Sequence, residues 1–190
     1  MRIHLLSGLC GLLSFACAAQ AADTYKLDAA HTSVVFEISH FGFSEPSGKF
    51  AMIDGTLTLD QANPAASKVS ATITINNMVT GVPKLDEHLR SDAFFDIAKF
   101  PTAFFESTSV DVTGKDAALV HGNLTVHGIT QPVTLNVRLN KIGENMMKKP
   151  TAGFSATAIV KRSDFGMTAY LPGLGDEVKL SITSEANLAQ

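Results

Sequence analysis

Val69-Ser70-Ala71-Thr72-Ile73-Thr74-Ile75-Asn76 alternates apolar and polar residues without a break. Val69, Ala71, Ile73 and Ile75 fall on one face of an extended chain and Ser70, Thr72, Thr74 and Asn76 on the other. That period-two alternation marks a β-strand with one buried side. The pattern recurs at residues 133–139 and 178–183 and, more weakly, at 33–40, 50–59, 102–112, 119–126 and 154–160. About eight strands result. No helix-period stretch long enough for a parallel crossover separates them, so neighbours are expected to run antiparallel. Thr113-Gly114-Lys115-Asp116 and His127-Gly128-Ile129-Thr130-Gln131-Pro132 read as hairpin breaks, with Pro132 at a strand start where it costs no ladder bond. Such strands either pair as a sandwich or close as a barrel. Closure removes exposed edges and leaves an interior that side chains fill or one small ligand occupies.

Two longer segments interrupt the alternation. Residues 143–151 contain Met146-Met147-Lys148-Lys149; residues 77–101 open with a short charged helix near residues 84–90 and carry Phe94, Phe95 and Phe100. Phe104 and Phe105 follow in the next strand. Each ring buries roughly 150–250 Å², far more than the Val, Ala and Thr of the other strands. The cluster therefore either plugs one end of a barrel or lines a cavity for an apolar guest. Phe104 and Phe105 are adjacent, so their side chains point to opposite faces and at most one enters the interior.

The chain begins as an export signal. Met1-Arg2 leads into an apolar run over residues 5–19 and then Ala19-Gln20-Ala21, a small-x-small cleavage pattern, which predicts a mature start at Ala22 and a periplasmic or secreted protein. The run is too short to span a bilayer, and no later segment approaches the roughly 20 apolar residues that spanning needs. Both cysteines, Cys10 and Cys17, lie inside the signal, which excludes disulfides, thiolate catalysis and Cys-ligated metal in the mature chain. A lipid-modified Cys17 is the rival reading, but Ser14-Phe15-Ala16 before it lacks the usual leucine. Residues 22–190 suit one domain. A net charge of −3 with both signs interspersed gives no basic stripe for nucleic acid.

Read together, several stretches resemble the YceI-like family. They are Tyr25-Lys26-Leu27-Asp28-Ala29-Ala30-His31-Thr32-Ser33, then His40-Phe41-Gly42-Phe43 with Gly48-Lys49-Phe50, and the helix-and-ring segment with Phe100-Pro101 and Phe104 to Thr108. Gly122-Asn123-Leu124-Thr125-Val126-His127-Gly128-Ile129-Thr130-Gln131-Pro132-Val133 is similar to the family's GxLTxHGxTxPV stretch, and Gly175-Asp176-Glu177-Val178 with Glu185-Ala186 to its ending. The resemblance spans the mature chain in order. It implies an all-β fold, an extended lipocalin-like antiparallel barrel with an elongated apolar tunnel. It also implies a ligand among long-chain amphiphiles: isoprenoid phosphates, isoprenoid quinones, or fatty amides and acids. It brings no catalytic residues.

With the resemblance, Phe94, Phe95 and one of Phe104 and Phe105 become tunnel wall. Phe36 and Ile38 share a strand face with His40, and Phe41 and Phe43 follow in the next connection; all five are assigned to the same wall. Arg90, at the end of the short helix beside the rings, is the first candidate for the ligand's head group, because a guanidinium can take a phosphate in bidentate fashion or bond a carbonyl. Arg162, leading into Phe165-Gly166-Met167, is the second, with Phe165 and Met167 added to the site. Long tails are favoured: about 0.8 kcal/mol per buried CH₂ must overcome association costs on the order of 4–15 kcal/mol.

Metal and catalysis find little support in the residues. His121 and His127 share parity on one strand but lie about 20 Å apart, and His31, His40 and His88 are scattered without close ligand spacing. His127 before Gly128 reads as a turn residue. There is no G-x-S-x-G elbow and no Gly-rich phosphate cradle. The expectation is a non-catalytic binder with no catalytic cofactor and no stable membrane insertion, taking a long-chain lipid as partner. The alternatives are a lipid-modifying enzyme on the same scaffold and an interaction module for a membrane redox partner. The sequence leaves homodimer formation open.

Overall fold

A computed structural model describes residues 22–189, so the expected signal at residues 1–21 lies outside the described residues. The elements are β1 (Asp23–Leu27), β2 (Ser33–His40), β3 (Ser47–Ala51), β4 (Asp54–Leu59), β5 (Lys68–Thr74), β6 (Met78–Val79), α1 (Pro83–Arg90), β7 (Thr102–Gly114), β8 (Ala117–Val126), β9 (Ile129–Glu144), β10 (Pro150–Lys161) and β11 (Leu174–Leu188). Eight strands close a ring in the order β1-β4-β5-β7-β8-β9-β10-β11, with β11 returning to β1. Every pairing is antiparallel. The barrel, and not the sandwich, is the solution these strands adopt.

Three of the eight are long strands that break partway. β1 and β2 run along one edge of β11, β1 pairing Leu27 with Ala186 and β2 pairing Ser33 with Thr183 and His40 with Leu174. β3 and β4 pair with β2 and β1 in turn, around a kink at Met52, whose φ of 58° turns the chain and buries Ile53. The expectation of one continuous strand over residues 50–59 is corrected by that kink. The third break falls inside residues 69–76 and corrects the strand expected there: β5 ends at Thr74, a 3-10 turn takes Ile75–Asn77, and β6 resumes as a partner of β3 alone. Strands β1 and β6 escape pattern reading because they are only 5 and 2 residues long.

Beyond the last β5–β7 pair, Thr74 with Thr102, β6 and β7 part company. The opening between them is covered by α1 and residues 91–101. Pro83 starts the helix, where a missing N–H is harmless. The Asp86 carboxylate reaches back to accept hydrogen bonds from the Thr80 amide at 2.8 Å and hydroxyl at 2.6 Å. Ile75 N–H donates to Pro101 O at 3.0 Å, tying the far end of the segment to the rim.

The turn at His127-Gly128 is a two-residue hairpin with φ of 53° and 74°, closing the pair Val126 with Ile129. Two positive φ values in succession match the right-handed twist of the flanking strands. Pro132 therefore lies inside β9, opposite Asn123, and not at a strand start as expected. It is tolerated because β10 joins β9 only from Asn136 onward, leaving the other edge free beside the proline.

The barrel is solid at one end and hollow at the other. Tyr25, Leu57, Leu59, Ala152 and Ala186 pack the β1/β4 end, and the opposed Ala152–Ala186 pair, without long side chains, lets the walls approach. Outward residues of β11, including Lys179, Ser181, Thr183 and Glu185, are polar. On this strand the pattern is the reverse of that of a membrane-spanning barrel, whose strands turn apolar residues outward. Among the described residues, no helix is long and apolar enough to cross a membrane.

Candidate functional site

The hollow end encloses a cavity of about 650 Å³, walled by alternate residues of nearly every strand. That volume suits an organic ligand of substantial size. From β2 come Val34, Phe36, Ile38 and His40, and from β11 Val178, Leu180, Ile182 and Ser184. All four apolar residues of the stretch 69–76 face the cavity, and α1 presents Leu85 and Leu89, one turn apart, from the side. Polar wall groups gather at the mouth, where His40, Ser44, Thr80, His88 and Tyr170 stand. Deep in the cavity stands the polar pair Thr32 and Ser184, whose hydroxyls lie 3.2 Å apart, with Thr32 also donating to Glu185 O. With those groups satisfied by each other, the depth of the cavity offers a guest only apolar contact.

The rings line the cavity rather than plug it. Phe105 is 8% exposed and faces inward, while Phe104 is 47% exposed and faces out, so parity holds and Phe104 is corrected to the outer surface. The Phe105 ring lies flat over Gly122 of β8, where a Cβ would come within 2.5 Å of Phe105 Cζ. Phe94 is buried and stacks on Tyr170 at 6.1 Å, with His88 set edge-on to Phe94 at 5.1 Å. These three rings join α1 and the residues after it to the 166–173 loop at the mouth. Phe95 meets Phe50 edge-to-face at 5.7 Å, and Phe50 meets Phe36 at 5.3 Å. Phe100 packs outside the cavity against His127.

Two more assignments are corrected. Phe43 is 91% exposed and off the wall, because Phe41 and Gly42, both at positive φ, fold the chain so that Phe43 N–H donates back to His40 O. Phe41 does reach the mouth, its amide donating to Gly173 O at 2.9 Å. Arg90 also lies off the cavity: its Nη2 donates to Met78 O at 2.7 Å and Asn76 O at 3.2 Å, which ties α1 to β6.

Arg162 is the guanidinium that reaches the wall, together with Phe165 and Met167. It is 3% exposed, and Nε, Nη1 and Nη2 donate to Gly175 O (2.7 Å), Met167 O (2.7 Å) and Leu174 O (2.9 Å). The arginine thus clamps the loop that carries Tyr170. Burial pulls its pKa down, against a smaller upward pull from Asp176, and a guanidinium stays charged regardless. Asp176 itself accepts from Ser163 N–H at 3.0 Å and Oγ at 2.8 Å. Among the described residues no carboxylate lies within ion-pair distance of Arg162. A signal for it was available: Ala156, Ala158 and Val160 alternate inward along β10, and two residues on, Arg162 keeps that phase. Tyr170, by contrast, lies in a loop without periodicity and left no such mark.

The histidines do not converge. His127 lies off the cavity wall with Nδ1 3.1 Å from Phe165 O, a turn residue bonded to backbone. His31 is better partnered than its sequence spacing implied: the β1–β2 bend and β11 place Asp28, His31 and Glu185 with ligand atoms within 4.8 Å of one another. Its hydrogen bond with Asp28, 3.1 Å long, raises the His31 pKa and lowers that of Asp28. The group lies away from the cavity wall.

A closed antiparallel barrel with a large apolar cavity open at one end is built as a lipocalin-like intracavity binder. The chain belongs to the YceI-like domain family, which matches residues 25–186. It is 41% identical over 187 residues to protein YceI of Salmonella arizonae, a match covering 97% of each chain. Among solved structures, BcnA of Burkholderia cenocepacia is similar at a TM-score of 0.76 and 22% identity, covering 84% of this chain and 98% of that one. A polyisoprenoid binding domain from Saccharophagus degradans, implicated in plant cell wall breakdown, is similar at 0.65 and 17%, covering 90% and 100%. At these identities the two structures share the fold.

Proposed function

We propose that this protein is a periplasmic, non-catalytic carrier that holds the apolar tail of one long-chain amphiphile, an isoprenoid or fatty chain, inside the barrel. The observation that carries the reading is the cavity itself: about 650 Å³, with an apolar wall interrupted at depth only by the mutually bonded Thr32 and Ser184 and its other polar groups toward the mouth. Such a site gains from every methylene it removes from water, about 0.8 kcal/mol each, and holds the head group where His40, Thr80, His88, Tyr170 and Arg162 stand. The export pattern at residues 1–21 supports the periplasmic setting, where a greasy molecule needs a shield to cross water. The ligand named for the Saccharophagus domain points to the same class of tail.

Native mass spectrometry of protein purified from its own host, followed by extraction and identification of bound lipid, tests the reading. The expected result is one single-tailed amphiphile per chain, displaceable by long-chain alcohols. A ligand-free protein that binds no long-chain alcohol in a displacement titration would overturn it.

A further inference from the structure

We propose that Gly48 is a specificity-determining residue, because the missing side chain there keeps the tunnel open past Phe36. The proposal rests on the carrier reading and adds which tails are admitted to full depth. Gly48 and Phe36 are directly opposed across β3 and β2; Phe36 lines the cavity, and Gly48 lies buried behind its ring, in phase with the wall residue Phe50. The Phe36 ring folds over the glycine so closely that a Cβ there would lie 2.3 Å from Phe36 Cζ and 2.6 Å from Cε1. The three nearest atoms all belong to the ring and none to backbone, so a methyl at this position displaces the ring and little else. Gly122 beneath Phe105 is similar but unsuited to the test, since its Cβ would also meet Glu106 O at 2.6 Å.

The open space beside the ring is the cavity that it lines. Along the wall it is backed by Phe50 at 5.3 Å, and Phe50 by Phe95 at 5.7 Å. It must rise off the wall, into the lumen. Restoring an ordinary carbon contact of about 3.8 Å from 2.3 Å requires a lift of roughly 1.5 Å. The pair stands four residues from His40 at the mouth, a depth of roughly 13 Å at strand rise. Tails that end above that level never meet the ring. Longer ones must pass it, and methyl-branched chains need the most room.

Displacement titrations with alcohols of increasing tail length (geraniol, farnesol and geranylgeraniol, with octanol and oleyl alcohol as linear controls) test this on the wild type and Gly48→Ala. In Gly48→Ala, affinity for geraniol and octanol should stay within about twofold, while geranylgeraniol should lose at least roughly tenfold, since each methylene kept from the wall is worth about fourfold. Replacing the displaced ring in the double variant Gly48→Ala/Phe36→Leu should restore geranylgeraniol binding, which a general loss of fold would not allow. Should Gly48→Ala fail to accumulate, Phe36→Trp crowds the same passage from its own strand and should show the same length-dependent loss. Wild-type binding of the whole series together with an unchanged length profile in the variant overturns the Gly48 proposal alone. A wild type that binds no member overturns it together with the carrier reading.

Discussion

Arg162 offers the sharpest test of how the mouth is held. In Arg162→Met the three carbonyls of Met167, Leu174 and Gly175 lose their donors, while the aliphatic part of the wall is kept. A hydrogen bond from a charged donor is worth about 1.5–3 kcal/mol. Two effects reduce the sum: methionine no longer bears the cost of burying a cation, and carbonyls at the mouth regain some water. A net loss of about 3–5 kcal/mol remains, among the larger effects of single substitutions. For a domain of this size each kcal/mol moves the melting temperature by about 2–4 °C, so the midpoint should fall by roughly 6–20 °C. Arg162→Lys should recover only part, because one ammonium cannot serve three carbonyls spread over the start of β11 and the loop before it. Thermal and urea unfolding of the three proteins measure this directly, and amide exchange in residues 166–174 shows where the loosening lies. A melting point for Arg162→Met within about 3 °C of wild type would refute the clamp.

Other expectations separate the faces of the barrel and the fastening of its cover. Phe105→Ala should cost about 2–4 kcal/mol by urea titration, somewhat under the usual 3–5 because the ring borders an existing cavity. Phe104→Ala should cost under about 1 kcal/mol, and equal costs would mean the parity is misread. Phe94→Ala removes the ring that stacks on Tyr170 and packs beside His88; tail dissociation should accelerate roughly tenfold or more in a displacement chase, and an unchanged rate would remove Phe94 from the mouth. The Thr80 hydroxyl, partly offset by burial, holds the Asp86 carboxyl below its ordinary value. A lowered folded-state pKa means that its contribution is complete above the unfolded value and is lost as pH falls through the folded one. The Thr80 amide resonance should therefore titrate with a midpoint below about 3.9, a transition absent in Asp86→Asn, and a midpoint at or above that value would contradict the hydrogen-bonded geometry.

Period-two alternation was enough to establish an antiparallel all-β chain of about eight strands, because a strand with one buried face writes its environment into every second residue. It also placed Phe36, Ile38 and His40 on one wall and allowed only one of Phe104 and Phe105 inside. Arg162 was legible by the same parity, whereas Arg90 drew attention only through its nearness in sequence to the rings. What alternation cannot encode is how far a sheet curls, where a long strand breaks, or which loop crosses the mouth. Those depend on contacts between residues far apart in the chain: Ile75 with Pro101, Phe94 with Tyr170, Arg162 with Gly175. Whether the rings plug or line the barrel was likewise beyond the sequence. That choice turns on glycines of neighbouring strands lying beneath Phe36 and Phe105, an adjacency that exists only once the register is set.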